Sequence, residues 1–443
     1  MDTITLATII LLGGFFLLMI LRVPISFALL LATLGSAVVS GTNLTTLIRQ
    51  MVDGVANFSL LAIPFFILMG EIMSAGGISE KIVDLANLLV GRFRGGLAYV
   101  NCLDSMFFGG ISGSAVADVS SLGSVVVPMM VKQGYSPEFS VALTVTTSCQ
   151  GVLIPPSHNM IIYALAASGL VTATMTVNVN VEHLLIGGAI PGVSLGLALM
   201  LLCFFMAEKY NFPRGVIIPK RERFKVLLQA ILPMLTLVII MGGVAAGIFT
   251  VTESSAFACF YTFILTYLMF RSAKLRDIGK VLKNSLKTLA VVLTLIGTAK
   301  AFAYMMTDLR IPDKLTALLL SVTDNKYLLL LIINLLLLLL GCVMDMAPLI
   351  MIMTPILLPV VVDPRIGMDP VHFGVMLIFN LAVGLCTPPV GSALFVGCAI
   401  GKTTLERTAK AALPMFTVMF VVLMLVTYIP GITMWLPGVL FGK

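Results

Sequence analysis

The chain reads itself twice, at a spacing of 233 residues. Pro137 returns as Pro370, and the pair Pro155-Pro156 returns as Pro388-Pro389. The segment Gly77-Ile-Ser-Glu-Lys-Ile82 returns as Arg310-Ile-Pro-Asp-Lys-Leu315, and Asn101 returns as Asn334. A slip of one or two residues aligns Gly110 with Gly341 and Pro128 with Pro359. Solenoid repeats run to about 20–50 residues, so this unit is half a protein. A duplicated half with a broken helix in each copy, in a chain this apolar, points to a secondary transporter.

Hydrophobic residues make up 59% of the sequence and charged residues 11%. Soluble domains carry about 25% charged residues, so this chain cannot cover a water-facing surface. Nine apolar runs approach the roughly 20 residues a bilayer requires, among them Thr3–Leu21, Pro24–Ser40, Val55–Ser74, Ser254–Phe270 and Leu413–Trp435. The expected fold is all-α and polytopic. The seven cysteines lie in apolar segments with no CxxC and no Cys/His cluster, so disulfides and transition-metal sites are not expected. HExxH, GxSxG and GxxxxGK[ST] are absent, which argues against zinc-protease, serine-hydrolase and nucleotide chemistry.

The net charge of +7 follows membrane topology and is no nucleic-acid footprint. The loops Glu208–Lys225 and Arg271–Lys287 hold six basic residues each, and Lys402–Lys410 holds three, whereas Gly169–Glu182 holds none. Placing the basic loops in the cytoplasm puts 20 basic residues inside and six outside, with Lys300 within a span and both termini outside. The repeats, 1–207 and 226–443 around the basic connector 208–225, then have inverted orientations.

Each repeat carries the same unusual section. Amphipathic arms are expected at 79–94 and 312–325, lying in the membrane plane. Re-entrant helical hairpins follow at 97–131 and 327–362, and broken helices at 137–168 and 370–401. The double prolines remove two backbone donors and stop the helix. The carbonyls so freed suit a cation, and the N-terminus of the following half-helix suits an anion.

The first hairpin tip, Gly109-Gly-Ile-Ser-Gly-Ser-Ala-Val-Ala-Asp118, is rich in glycine and serine. Such a run also serves as a packing surface between helices. Its recurrence beside a double proline in both halves favours a site for an alkali cation. The second tip, Gly341-Cys-Val-Met-Asp-Met-Ala-Pro348, places Asp345 inside an otherwise apolar stretch, where an acid is costly and usually functional. Asp345 also suits the N-cap of the helix after the turn, with Pro348 in its first turn. Ser157 suits the N-cap of the half-helix after the first double proline, with its hydroxyl toward a cavity, and Thr387 precedes the second double proline. His158 and Lys300 receive no role; Asp308 and Glu71 are the acids with which Lys300 could pair. Asp104 and Asp118 suit caps or supports of an ion site.

With these segments in hand, the chain resembles the large membrane subunit of the tripartite ATP-independent periplasmic (TRAP) transporters. The matching stretches are Leu61-Ala-Ile-Pro-Phe-Phe-Ile-Leu-Met-Gly70, Gly95-Gly-Leu-Ala98, Gly109–Asp118, Pro155-Pro-Ser157, Thr252-Glu253 and Thr387-Pro-Pro-Val-Gly391. The family's Thr-Pro-Thr-Glu is Thr250-Val-Thr-Glu253 here. The resemblance implies a fold similar to divalent-anion/sodium symporters, an elevator motion, and sodium-driven import of an organic acid across the bacterial inner membrane. It implies two partners, a small four-helix membrane subunit, expected as a separate polypeptide, and a periplasmic substrate-binding protein. It implies no cofactor, with Na+ as the coupling ion. Substrate contacts are expected at Ser112, Ser157 and Asp345. Sodium sites are expected at each tip against the facing break, drawing on Gly110, Ser112, Gly113, Ser114, Gly151, Gly341, Asp345, Thr387 and Gly391. C4-dicarboxylates, sialic acids and other sugar acids all fit. The alternatives are a standalone sodium/dicarboxylate symporter without a binding protein, and a membrane scaffold or enzyme subunit without transport.

Overall fold

The computed structural model describes residues 3–170, 176–215, 219–323 and 325–442, and helices account for every named element among them. Parts of the basic connector (216–218), of the segment after the first broken helix (171–175) and of the second arm (324) lie outside the described residues. The first half opens with α1 (Thr3–Ile20), α2 (Ile25–Ser40) and α3 (Leu44–Val55). The hydroxyl of buried Ser36 donates to the Ala7 carbonyl at 2.9 Å and ties α2 to α1.

The run Val55–Ser74 reads in sequence as one span. The structure starts that helix later, as α4 (Ala62–Ala75), and a 76° bend at Gly76-Gly77 leads from it into α5 (Ile78–Val90). Helix α5 buries Ile78, Ile82, Val83 and Ala86 while Glu80 and Asp84 are exposed. That is the amphipathic pattern expected of the first arm. Next come α6 (Gly96–Ser112) and α7 (Ala115–Lys132), which turn at Gly113 and pack on one another. Helix α8 (Pro137–Thr147) starts on a Ser136 cap with Pro137 in its first turn, continues through the short α9 (Gln150–Leu153), and stops at the double proline; α10 (His158–Ala167) resumes beyond it. Helix α11 (Val181–Lys209) closes this half.

Helix α12 (Lys220–Leu237) and the short α13 (Gly243–Ala245) lead to α14 (Val251–Phe263). A capping box between Thr250 and Glu253 starts α14, so the turn that lacks the family's proline is still held by reciprocal hydrogen bonds. Helix α15 (Ile278–Asp308) begins earlier than the sequence suggests, so Lys280, Lys283 and Lys287 sit on helix and not in a loop. The second arm is α16 (Ile311–Val322), and α17 (Lys326–Gly341) and α18 (Met346–Val361) flank the second tip. The second broken helix is α19 (Pro370–Cys386) and α20 (Ser392–Gly401), followed by α21 (Leu405–Tyr428) and α22 (Pro430–Phe441). Six helices of the described residues are long and apolar enough to cross a membrane, or seven if α4 and α5 count as one bent span.

Packing divides by function of surface. Helix α15 lies against α2, α3 and α4. The half-helices cross between halves, α10 on α18 and α20 on α7. In lipid, close packing and internal hydrogen bonds hold helices together, because lipid is as apolar as a leucine side chain. Two buried polar links do this at equivalent places. Asn101 donates to Thr144 at 2.7 Å between α6 and α8, and Asn380 donates to Asn334 at 2.9 Å between α19 and α17. Each is worth about 0.6 kcal/mol by the average for such bonds in membranes.

Candidate functional site

Both tips and both breaks meet at one cleft of about 810 Å³. Ser112 and Ser114 reach it from the first tip, and His158 and Asn159 from the start of α10. Asp345 reaches it from the second tip, and Ser392 from the start of α20. The facing wall is built from α2, α4 and α15 and includes Ser26, Glu71, Ser74 and Thr288. The two walls touch where the hydroxyls of Ser74 and Ser121 stand 3.2 Å apart.

At the first tip, Gly113 has φ +62°, a left-handed conformation that costs glycine little and other residues more. A side chain there would also meet the Pro156 carbonyl at 2.8 Å. Ser114 caps α7 by accepting from the Ala117 amide at 3.4 Å. The Ser112 hydroxyl has only long bonds, donating to the Ser114 carbonyl and accepting from the Ser114 amide, each at 3.4 Å. The Pro155 carbonyl lies against Gly110. This end therefore gathers hydroxyl and carbonyl oxygens, hard donors suited to an alkali cation. Among the described residues no group of three or more His, Cys, Asp or Glu is placed to hold a metal ion.

The second tip differs. Asp345 is the N-cap of α18 and accepts from the Met346 amide at 2.9 Å, and it also faces the cleft. Both sequence readings of this acid, cap and cleft residue, therefore describe its position. The Cys342 carbonyl takes the amides of Val390 and Gly391 at 3.2 and 3.3 Å. The Thr387 hydroxyl donates back to the Val383 carbonyl at 2.7 Å, and the Thr387 carbonyl lies against Gly391.

The expectation for Ser157 needs correction. Ser157 does occupy the N-cap position of α10, but it makes no cap bond, is 0% exposed and is not part of the cleft wall. It sits behind Gly113, and its hydroxyl has no protein partner. The close backbone crossing at the first tip is made by Gly109: a Cβ there would fall on the Cα of Gly151. Gly341 crosses Gly384 in the same way. Lys300 forms no ion pair with Asp308 or Glu71; its stem packs on Gly54. The sequence reading missed the wall opposite the tips. The one signal it held was the charge of Glu71 inside an apolar run.

Asp104 and Asp118 are fully buried near the first tip, and the carboxylate oxygens of Asp104 have no hydrogen-bond partner among the described residues. Neither is the N-cap residue of a helix.

The family description "Tripartite ATP-independent periplasmic transporter, DctM component" matches residues 12–432. The sialic acid TRAP transporter large permease protein SiaM of Vibrio cholerae is 35% identical over 97% of this chain and 98% of its own length. The C4-dicarboxylate TRAP transporter large permease protein DctM of Rhodobacter capsulatus is 34% identical over 98% of this chain and 100% of its own. The crystal structure of the Alcanivorax borkumensis YdaH transporter superimposes with a TM-score of 0.63 over 87% of this chain and 88% of that one, at 13% identity. At that identity the likeness speaks to fold alone.

Proposed function

The chain belongs to the DctM-component family of the tripartite ATP-independent periplasmic transporters, and from that premise we propose that it imports an organic acid by sodium symport. In this reading a periplasmic binding protein delivers the acid, and a small membrane subunit completes the complex in the bacterial inner membrane. The observation that carries the reading is the single cleft lined from both tips and both breaks. A duplicated half that brings its two copies to one cavity is the arrangement alternating access requires. The equivalent crossings Gly109–Gly151 and Gly341–Gly384, and the reciprocal packing of α10 on α18 and α20 on α7, support two inverted repeats. The proposed motion is an elevator: the tips and breaks move as one body past the wall of α2, α4 and α15.

Sodium is the proposed coupling ion because the first tip offers hydroxyl and carbonyl oxygens with few acids. The SiaM and DctM relatives, named for sialic acid and C4-dicarboxylates, support an organic acid as cargo. The test is uptake by the reconstituted three-part complex. Uptake should require a sodium gradient and rise more than linearly with sodium concentration. Uptake unchanged when potassium replaces sodium at constant proton gradient would overturn the symport. Transport by this chain without the binding protein would favour the standalone symporter.

A further inference from the structure

Two arginines from distant parts of the chain are held face to face with no acid between them, and we infer that they seat the phosphodiester headgroup of an acidic phospholipid. The seat lies at the joint between the first arm and the first hairpin, where the basic connector after α11 comes back to meet it.

Arg94, in the turn between α5 and α6, stands opposite Arg214 of the connector in an isolated antiparallel bridge. The flanking bond runs from the Gly95 amide to the Pro213 carbonyl at 3.0 Å. Arg94 and Arg214 are therefore the kind of pair that shares no hydrogen bond of its own, in which side chains stand closest. Like charges directly opposite one another destabilise such a pair. Neither guanidinium has a carboxylate partner. The ion pairs among the described residues are Arg365–Asp363 and Lys410–Glu406, so Glu208 and Glu222, the acids of this region, reach neither arginine. Arg94 donates to the side-chain carbonyl of Asn211, a neutral acceptor that leaves the charge unbalanced. Arg92 adds a third exposed guanidinium, lying over the Phe93 ring. A phosphodiester would balance these charges, and guanidinium forks match its oxygens two at a time. A bias of basic residues toward one side of a bilayer explains how many gather here, but not why two are paired across a bridge.

The joint is built to hold that pairing. Gly95 has φ +77°, and a Cβ on it would meet that of Ala207, in the last turn of α11, at 2.8 Å. Phe212 packs on Tyr135 and Phe139 with ring centres 4.8 and 4.9 Å apart, which anchors the connector just before Arg214.

The surface beside the arginines selects a lipid over a free phosphate. Helix α11, which touches the joint through Ala207, carries the exposed residues Leu197, Leu201 and Phe205. At a spacing of four they form one stripe along the helix. Phe93 is exposed between the arginines of the turn. A headgroup at the joint lays its acyl chains along this apolar surface, whereas inorganic phosphate finds nothing there to use.

The full chain, purified in a neutral detergent, tests this with three probes: dioleoylphosphatidylglycerol, dioleoylphosphatidylcholine and inorganic phosphate. Phosphatidylglycerol should raise the melting temperature by about 2–4 °C and stay bound in native mass spectrometry; the other two should do neither. Arg94→Gln with Arg214→Gln, which keeps a donor for Asn211, should lose most of the shift and the retained lipid. Arg94→Lys with Arg214→Lys should keep part of both. Lys274→Gln with Arg276→Gln removes the same charge from the exposed segment before α15 and should keep all of both. An equal effect of phosphatidylcholine, an equal shift from phosphate alone, no effect of phosphatidylglycerol, or an equal loss in the Lys274/Arg276 variant each overturns the inference. If the glutamine pair does not fold, the three probes on the wild type and the lysine pair decide.

Discussion

Single residues at the cleft separate binding from capping. The Ser112 hydroxyl faces the cavity and makes only two long internal bonds, 3.4 Å each, to the carbonyl and from the amide of Ser114, which suits it to the proposed substrate or sodium contact. Losing a hydrogen bond to a charged group costs about 1.5–3 kcal/mol, or about 10- to 150-fold in affinity. Ser112→Ala should lower subsaturating uptake by that factor while expression and assembly hold; wild-type uptake would remove Ser112 from the site. Asp345 does two jobs, and two variants divide them. Asp345→Asn keeps a good N-cap and should melt like wild type while uptake falls. Asp345→Ala should lose uptake and also about 0.5–2 kcal/mol of stability with the cap. Equal uptake in Asp345→Asn and wild type would leave this acid as a cap only. Ser36 looks in sequence like a harmless control on an ordinary span, but its hydroxyl crosses to α1. Thr417, whose exposed hydroxyl bonds only its own helix at Leu413, is the proper control. That Ser112, Ser114 and Asp345 mark the cleft was legible in the sequence, because serines and an acid stand out in an apolar chain. Which residue after the first double proline faces the cavity was not: Ser157 and His158 are neighbours, and only the packing behind Gly113 puts the first inside the protein and the second on the wall.

At the level of elements, each hairpin crosses the broken helix of its own half on paired glycines. A methyl on Gly109 would fall on the Gly151 backbone, and one on Gly384 would lie 2.6 Å from the carbonyl carbon of Gly341. Backbone cannot give way as a side-chain tip can. Overpacking of this kind costs about 1–3 kcal/mol. Gly109→Ala and Gly384→Ala should therefore each lower the melting temperature of the purified protein by several degrees. Gly14→Ala, where the added carbon meets nothing within 4 Å, should leave it unchanged or raise it. Wild-type melting of both crossing variants would mean that the hairpins have room to shift. The turns at Gly113 and at the double prolines fall where the sequence marks them, because prolines and glycines act locally. The sequence reading ran the span before the first arm back to Val55, where the structure starts α4 only at Ala62, because an unbroken apolar run carries no local mark of where a helix begins.

For the whole molecule, the question is which parts move. Cys149 and Cys386, from the two broken helices, stand with sulfurs 3.2 Å apart, and each also meets a backbone carbonyl of the opposite half. The two breaks are thus packed as one body, whereas the cleft separates that body from the wall of α2, α4 and α15. Topology can be checked first. All seven cysteines are buried, so an introduced thiol reports with little background. Gly215 lies too close to the Gly91 carbonyl to accept a side chain, but exposed Lys209 in the same basic region is suitable. Lys209→Cys should react with an impermeant thiol reagent only after permeabilisation; labelling from outside would invert the assigned sides. The motion itself is tested across the cleft, where Ser74 on α4 and Ser121 on α7 are in hydroxyl contact at 3.2 Å. Cysteines at both positions should form a disulfide under mild oxidation. If α7 travels with the tips past a fixed α4, that bond must hold the carrier in one state. Uptake should stop on oxidation and return on reduction, while each single variant transports throughout. Continued uptake by the fully cross-linked protein would mean that α4 and α7 do not separate during transport, and the moving boundary would then have to lie elsewhere in the fold.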